Sequence, residues 1–152
     1  MSFVAKVSRR IEVPAQVVFD CLADHDAWPS WAPKTFRPVG KSLGRLTEGK
    51  AFYAKILGLP FPAKCDVTVV KSPVEITWCG GKKGLLYAEH RFLFEPKGDA
   101  AVEVTSAETW SGLLSVVLRA VIDSGAKKVG ADQLSGLAAG AKRRFEDTKA
   151  KS

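Results

Sequence analysis

Apolar and polar residues alternate near the start of the chain: Phe3, Ala5 and Val7, then Ile11 and Val13. A period of two predicts a strand. Pro14 ends it, and proline suits the first turn of a helix because its missing N–H is not needed there. Val17, Val18, Cys21 and Leu22 follow at helical spacing and predict a first helix over about 14–23. The segment His25 to Pro33 reads HDAWPSWAP. Its prolines limit it to a short helix or helical turn. Trp28 and Trp31 lie three apart, so this segment needs a sheet to lean on.

From about 35 to 110 the period returns to two, in short runs separated by turn residues. Phe36–Val39 is followed by Gly40 and Gly44, and Ala51–Leu57 by Gly58-Leu59-Pro60. Cys65, Val67 and Val69 alternate with Asp66 and Thr68 up to Lys71-Ser72-Pro73. Val74, Ile76 and Trp78 alternate with Glu75 and Thr77 up to Gly80-Gly81. Leu86, Ala88, His90, Phe92 and Phe94 share one face of the next run. Pro96-Lys97-Gly98-Asp99 is a hairpin turn. Val102, Val104, Ser106, Glu108 and Trp110 form one face of the last run. Regular short strands with tight turns predict an antiparallel meander.

After Gly112 the stretch Leu113–Ile122 is apolar on nearly every side, and Leu134, Leu137, Ala138, Ala141 and Phe145 mark a helical stripe. Residues 114–147 are expected to be helical, with a break near Asp123-Ser124-Gly125 or Gly130. Four glycines in this region, at 125, 130, 136 and 140, weaken its intrinsic helicity, so packing must supply the rest. The order is strand, two short helices, about six strands and one long helix. A curved antiparallel sheet of about seven strands wrapped round the C-terminal helix satisfies it, an α+β fold with a space between concave face and helix.

Composition narrows the class. The 152 residues suit a single domain over 1–152, with 46% hydrophobic and 26% charged residues, the mix of a soluble globular protein. No uncharged apolar run reaches the ~18 residues of a membrane span, and the N-terminus lacks a signal-peptide pattern, so a cytoplasmic protein is expected. Cys21, Cys65 and Cys79 are odd in number and form no CxxC pair; with only two histidines there is no metal-binding spacing. They read as small buried hydrophobes, and no metal or cofactor is expected. The net charge is 23 − 16 = +7. Its basic residues are spread along the chain without an arginine-rich run or RNA-binding signature, so no nucleic-acid partner is expected.

Three stretches carry a family resemblance. Ile11-Glu12-Val13-Pro14-Ala15-Gln16-Val17-Val18-Phe19 runs into Trp28-Pro29-Ser30-Trp31-Ala32-Pro33; Glu89-His90-Arg91-Phe92 is a strand motif; Glu108-Thr109-Trp110-Ser111-Gly112-Leu113-Leu114 leads into the last helix. In order and spacing they resemble the START/polyketide-cyclase (SRPBCC) superfamily of small bacterial type, over nearly the whole chain. The resemblance implies the helix-grip fold and a deep apolar cavity for a small or mid-sized hydrophobic ligand, such as a lipid, quinone or polyketide-like molecule. It implies no particular reaction.

Among candidate residues His90 and Glu108 come first. A three-residue hairpin loop at 97–99 would set His90 opposite Ser106 and Ala88 opposite Glu108, with both polar side chains on the concave face. A slip of one residue would turn Glu108 to solvent. The pair could serve as acid and base in a cyclisation or dehydration, or simply hydrogen-bond and orient a ligand. Trp31, Trp78, Phe92 and Trp110 are candidates for the cavity wall, or core. Val67, Ala88, Ser106, Leu114 and Leu118 complete the candidate ligand contacts, with Tyr53 if its face, rather than that of Phe52, Ala54 and Ile56, is the concave one.

Gly80-Gly81-Lys82-Lys83-Gly84 lacks phosphate-loop spacing and reads as a solvated turn. Ile56-Leu57-Gly58-Leu59-Pro60-Phe61 reads as a buried hairpin corner, with a cavity rim or membrane-touching edge as the alternative. Leu113–Ile122 stands where the superfamily has a cavity lid, with Gly125 and Gly130 as hinges or close-packing points. The partner expected is a hydrophobic small molecule, with no stable membrane insertion and at most transient membrane contact, in a monomer or homodimer. The functions in view are a binder, a cyclase or dehydratase using His90 and Glu108, and an interaction module with a collapsed cavity.

Overall fold

The computed structural model describes residues 2–151. Strand β1 (Ser2–Ile11) leads into helix α1 (Ala15–Ala23) and a 3-10 helix (His25–Ser30). Strands β2 (Phe36–Val39), β3 (Ala51–Ile56), β4 (Ala63–Lys71), β5 (Glu75–Lys82), β6 (Leu86–Pro96) and β7 (Val102–Ser111) follow. A short helix α2 (Leu113–Val117) and a long helix α3 (Arg119–Ala150) close the chain. The seven strands form one antiparallel sheet in the order β1-β7-β6-β5-β4-β3-β2. The last strand thus returns to pair with the first. The sheet curls into a half-barrel around α3, the expected helix-grip arrangement.

The alternation read from the sequence sets the inner face. Phe3 and Ala5 on β1, Phe52 and Ala54 on β3, His90, Phe92 and Phe94 on β6, and Val102, Val104 and Ser106 on β7 are all buried. β4 departs from strict alternation. Its register with β5 shifts between Val67 and Val69, a bulge that leaves Val69 and Val70 half-buried side by side.

On α3 the buried residues are Ala126, Val129, Gly130, Gln133, Leu134, Leu137, Gly140 and Ala141, one stripe at helical spacing. Two glycines on it serve close approach. A Cβ at Gly130 would lie 3.0 Å from Ser106 Oγ and 2.9 Å from Val7 Cγ2, and one at Gly140 would lie 2.9 Å from the Trp31 ring. Gly130 is therefore a packing point and not a hinge. The expected break near 123–125 or 130 is absent, because α3 runs continuously through those positions. The interruption is at Leu118, between α2 and α3.

Two further expectations are corrected. The β6–β7 loop spans 97–101, with Lys97 N–H donating to the Ala101 carbonyl at 2.9 Å, so Pro96 pairs with Val102. His90 therefore faces Glu108, not Ser106, and Ala88 faces Trp110. The shift is two residues, which preserves the face of every side chain. The Leu57–Phe61 turn is not a buried corner: Leu57, Leu59 and Phe61 are exposed.

Candidate functional site

The site is built where β5, β6 and β7 run side by side. Register pairs Trp78 with His90 across β5–β6 and His90 with Glu108 across β6–β7. Because these residues share the inner face, they stand in a row beneath the helices. His90 is 2% exposed. Its Nε2 lies 2.7 Å from Ser106 Oγ, and its Nδ1 lies 3.4 Å from Glu108 Oε1. The imidazole stacks on Phe92 at 4.4 Å between centroids and meets the edge of Trp78 at 5.1 Å. The Glu108 side chain keeps 13% of its surface.

Burial sets the charge states. Removing His90 from water disfavours imidazolium and lowers its pKa to about 3. The same cause raises Glu108 to about 7, with the neighbouring Trp110 indole acting in the opposite sense. At neutral pH this is a neutral imidazole beside a carboxyl close to its own midpoint. Both His90 Nδ1 and Trp110 Nε1 are buried without a well-formed hydrogen bond. Buried polar atoms normally find partners, and Glu108 is the polar group within reach of both. Cys65 cannot act as a nucleophile near neutral pH, since burial pushes its thiol up to about 12. Among the described residues no cluster of His, Cys, Asp and Glu could hold a metal ion.

The other candidates separate into two groups. Val67 is buried on β4 opposite Trp78, Ala88 is half-buried opposite Trp110, and Phe92 is fully buried opposite Ser106. Leu114 is half-buried on α2, tied by its N–H to the Leu85 carbonyl at 2.9 Å. Of these, Phe92 stacks on the His90 ring, and Val67 and Ala88 extend the same inner face of the sheet. Tyr53 does not join them: it is 48% exposed on the outer face, and its neighbours Phe52 and Ala54 point inward instead. Leu118 sits exposed at the junction of the two helices. Trp31 is buried against Trp28 and the glycine notches of α3.

The space expected between sheet and helix is largely filled. Trp28, Phe36, Phe52, Trp78 and Phe92 pack as a chain of aromatic rings in one half. In the other, Gly130 lays α3 directly on Ser106. The open concavities lie outside: a groove of about 500 Å³ beside Trp31, Arg143 and Arg144, and a hollow of about 220 Å³ at Pro29, Ala32, Arg37 and Pro38.

Two buried residues with an unpartnered polar side-chain atom, Gln133 and His25, escape the sequence reading. Gln133 is buried on the sheet-facing stripe of α3, with its Oε1 unpartnered. A polar side chain inside an apolar helical stripe is the signal that points to it. His25 is buried with Nε2 unpartnered, its Nδ1 accepting the Leu43 N–H at 3.0 Å and its ring against Trp28 and Phe52. It fastens the β2–β3 connection to the core.

Comparison with known proteins agrees with this architecture. No curated protein matches the chain. A hypothetical protein of Helicobacter pylori superposes with a TM-score of 0.70 at 18% identity, covering 90% of this chain and 86% of that one. Norcoclaurine synthase of Thalictrum flavum, a point mutant in complex with a transition-state analogue, gives 0.69 at 13% identity over 93% and 97%. The Zhui aromatase/cyclase of Streptomyces sp. R1128 gives 0.69 at 10% identity over 95% and 96%. At such identities the likeness is one of fold. The sequence itself matches the family described as polyketide cyclase/dehydrase and lipid transport over residues 2–146, nearly the whole chain. The chain thus belongs to the polyketide cyclase/dehydrase and lipid transport family.

Proposed function

We propose that the protein binds a small hydrophobic ligand between its sheet and its C-terminal helices, with the His90–Glu108 pair as the polar end of the site. One observation carries this reading: a buried imidazole and a buried carboxyl, His90 and Glu108, stand 3.4 Å apart in an apolar wall of Trp78 and Phe92. A ligand with an apolar body and one hydroxyl or carbonyl would satisfy both features. Access is through α2, a five-residue helix without a side-chain cap, held to the β5–β6 turn by the Leu113 and Leu114 N–H groups. Swinging α2 away opens Trp110 and Ala88 while leaving the sheet intact.

The test is a pair of matched probes, 1-naphthol and 1-methylnaphthalene, titrated against tryptophan fluorescence. The wild type is expected to bind both saturably and to prefer the hydroxyl compound by about threefold to tenfold, the worth of one net hydrogen bond. Glu108→Leu should abolish that preference while keeping the apolar affinity. Absence of saturable binding, or the same preference in both proteins, would refute the reading.

A second reading, acid–base catalysis on the bound ligand, is favoured by one fact. Glu108 Oε1 lies 3.4 Å from the His90 imidazole, and burial raises the carboxyl to about 7, which suits proton transfer at neutral pH. His90→Ala separates the two: turnover lost with affinity retained indicates catalysis, whereas weakened affinity with nothing turned over indicates binding alone.

A further inference from the structure

We propose that the end of the molecule formed by the β3–β4 turn, the β5–β6 turn and α2 docks onto an anionic lipid bilayer. In a meander alternate turns share one end of the sheet, so these three connections cluster. Within it, α2 is fastened to the β5–β6 turn by hydrogen bonds from Leu113 N–H to the Gly84 carbonyl, 3.1 Å, and from Leu114 N–H to the Leu85 carbonyl, 2.9 Å. Each segment presents large apolar side chains to solvent. Phe61 is 76% exposed, Val117 71% and Val121, in the first turn of α3, 73%; Leu57, Leu85 and Leu113 are exposed beside them. So many exposed apolar groups at one end of a protein otherwise well supplied with charge mark an interaction surface.

Charge selects the partner. Segments 52–65, 80–88 and 109–122 contain five basic residues, Lys55, Lys64, Lys82, Lys83 and Arg119, while the nearest acids, Asp66, Glu89, Glu108 and Asp123, stand just beyond their ends. Lys64 has Asp66 at 3.8 Å on the flank, Lys83 lies over the Tyr87 ring and Arg119 over the Phe3 ring. Among the described residues Lys55, Lys82, Lys83 and Arg119 form no ion pair. Apolar tips ringed by cations complement a bilayer with acidic headgroups, where each cation near the surface adds attraction and the tips enter the acyl boundary. A second copy of the chain fits poorly, because it would set five cations against five. No helix among the described residues is long and apolar enough to cross the membrane, so the contact is peripheral. The inference stands on the outer surface alone and does not depend on the ligand reading.

The experiment is co-sedimentation with large unilamellar vesicles of phosphatidylcholine, with and without roughly one-third phosphatidylglycerol. Wild type is expected to pellet with the phosphatidylglycerol vesicles and to be released by high salt. Phe61→Asp should weaken partitioning about tenfold, the worth of one buried aromatic ring. Phe61 is so exposed that the fold should survive, which circular dichroism checks. Arg9→Gln, at an exposed position near the opposite end of β1, removes the same unit of charge and should pellet like wild type. No pelleting with acidic vesicles, or equal losses in the two variants, overturns the proposal. So does a dimer in solution that Phe61→Asp converts to monomer, which would give the surface to a second copy.

Discussion

Trp28→Ala is expected to lower the free energy of unfolding by about 3–5 kcal/mol, the usual range for deleting a fully buried large aromatic. Trp28 is 1% exposed and lies within ring contact of His25, Trp31, Phe36, Phe52 and Trp78, at centroid distances from 4.7 to 6.1 Å. It comes from the 3-10 helix and is the piece that closes the sheet's β2–β5 half. Its Nε1–H also donates to the Leu22 carbonyl at 2.8 Å, tying that helix to the end of α1. Removing the ring leaves a cavity that this rigid set of rings cannot collapse into, and strands a buried carbonyl. Trp28→Phe should cost less, about 1–3 kcal/mol, since most of the ring volume remains and chiefly the hydrogen bond is lost. Urea unfolding of the three proteins measures both steps. Equal, small losses would mean that the aromatic chain is not the core it is taken to be.

Glu108→Gln is expected to stabilise the protein at high pH. The folded carboxyl titrates at about 7, against 4.5 for the ordinary group. Above about pH 7 the folded state must carry a buried charge that the unfolded state exposes to water, at a cost of about 3 kcal/mol by proton linkage. Below pH 4.5 the carboxyl is protonated in both states and the cost vanishes. The gain from Glu108→Gln should thus be near 3 kcal/mol at pH 8 and near zero at pH 4. His90 acts in the opposite direction. Its folded pKa of about 3 lies below the ordinary 6.5, so its contribution is lost as pH falls from 6.5 towards 3. Between about 4.5 and 6.5 the two slopes cancel: folded and unfolded states each hold one proton on the pair, on Glu108 when folded and on His90 when unfolded. Urea unfolding across this range gives the profile. A Gln variant less stable than wild type at pH 8 would show instead that Glu108 is ionised and paired with His90.

Period-two alternation makes the strands and their inner faces legible, because one face of each strand must meet the core. It is enough to put His90 with Phe92, and Ser106 with Glu108, on the concave side. It does not fix their partners. A three-residue loop and a five-residue loop give the same alternation, and only turn geometry decides whether His90 is paired across the strands with Ser106 or with Glu108. Tyr53 and Phe52 cannot be ranked from sequence because β3 carries apolar residues on both phases; the inward turn of Phe52 is set by Trp28 and Trp78. The Leu57–Phe61 turn misleads for a different reason. Apolar composition argues for burial, yet Leu57, Leu59 and Phe61 stay exposed at the tip of the hairpin. The helix break is misplaced because glycine by itself signals a helix breaker. In α3 the glycines instead let the helix approach Ser106 and Trp31, and packing outweighs propensity.

The central claim, a hydrophobic ligand held at the His90–Glu108 pair, is tested most directly by native mass spectrometry of the freshly purified protein, followed by extraction of bound small molecules. The account predicts a stoichiometric adduct with an apolar body and at least one hydroxyl or carbonyl, lost or exchanged for a purely apolar one in Glu108→Leu. A protein that emerges empty and stays empty when incubated with 1-naphthol would contradict it.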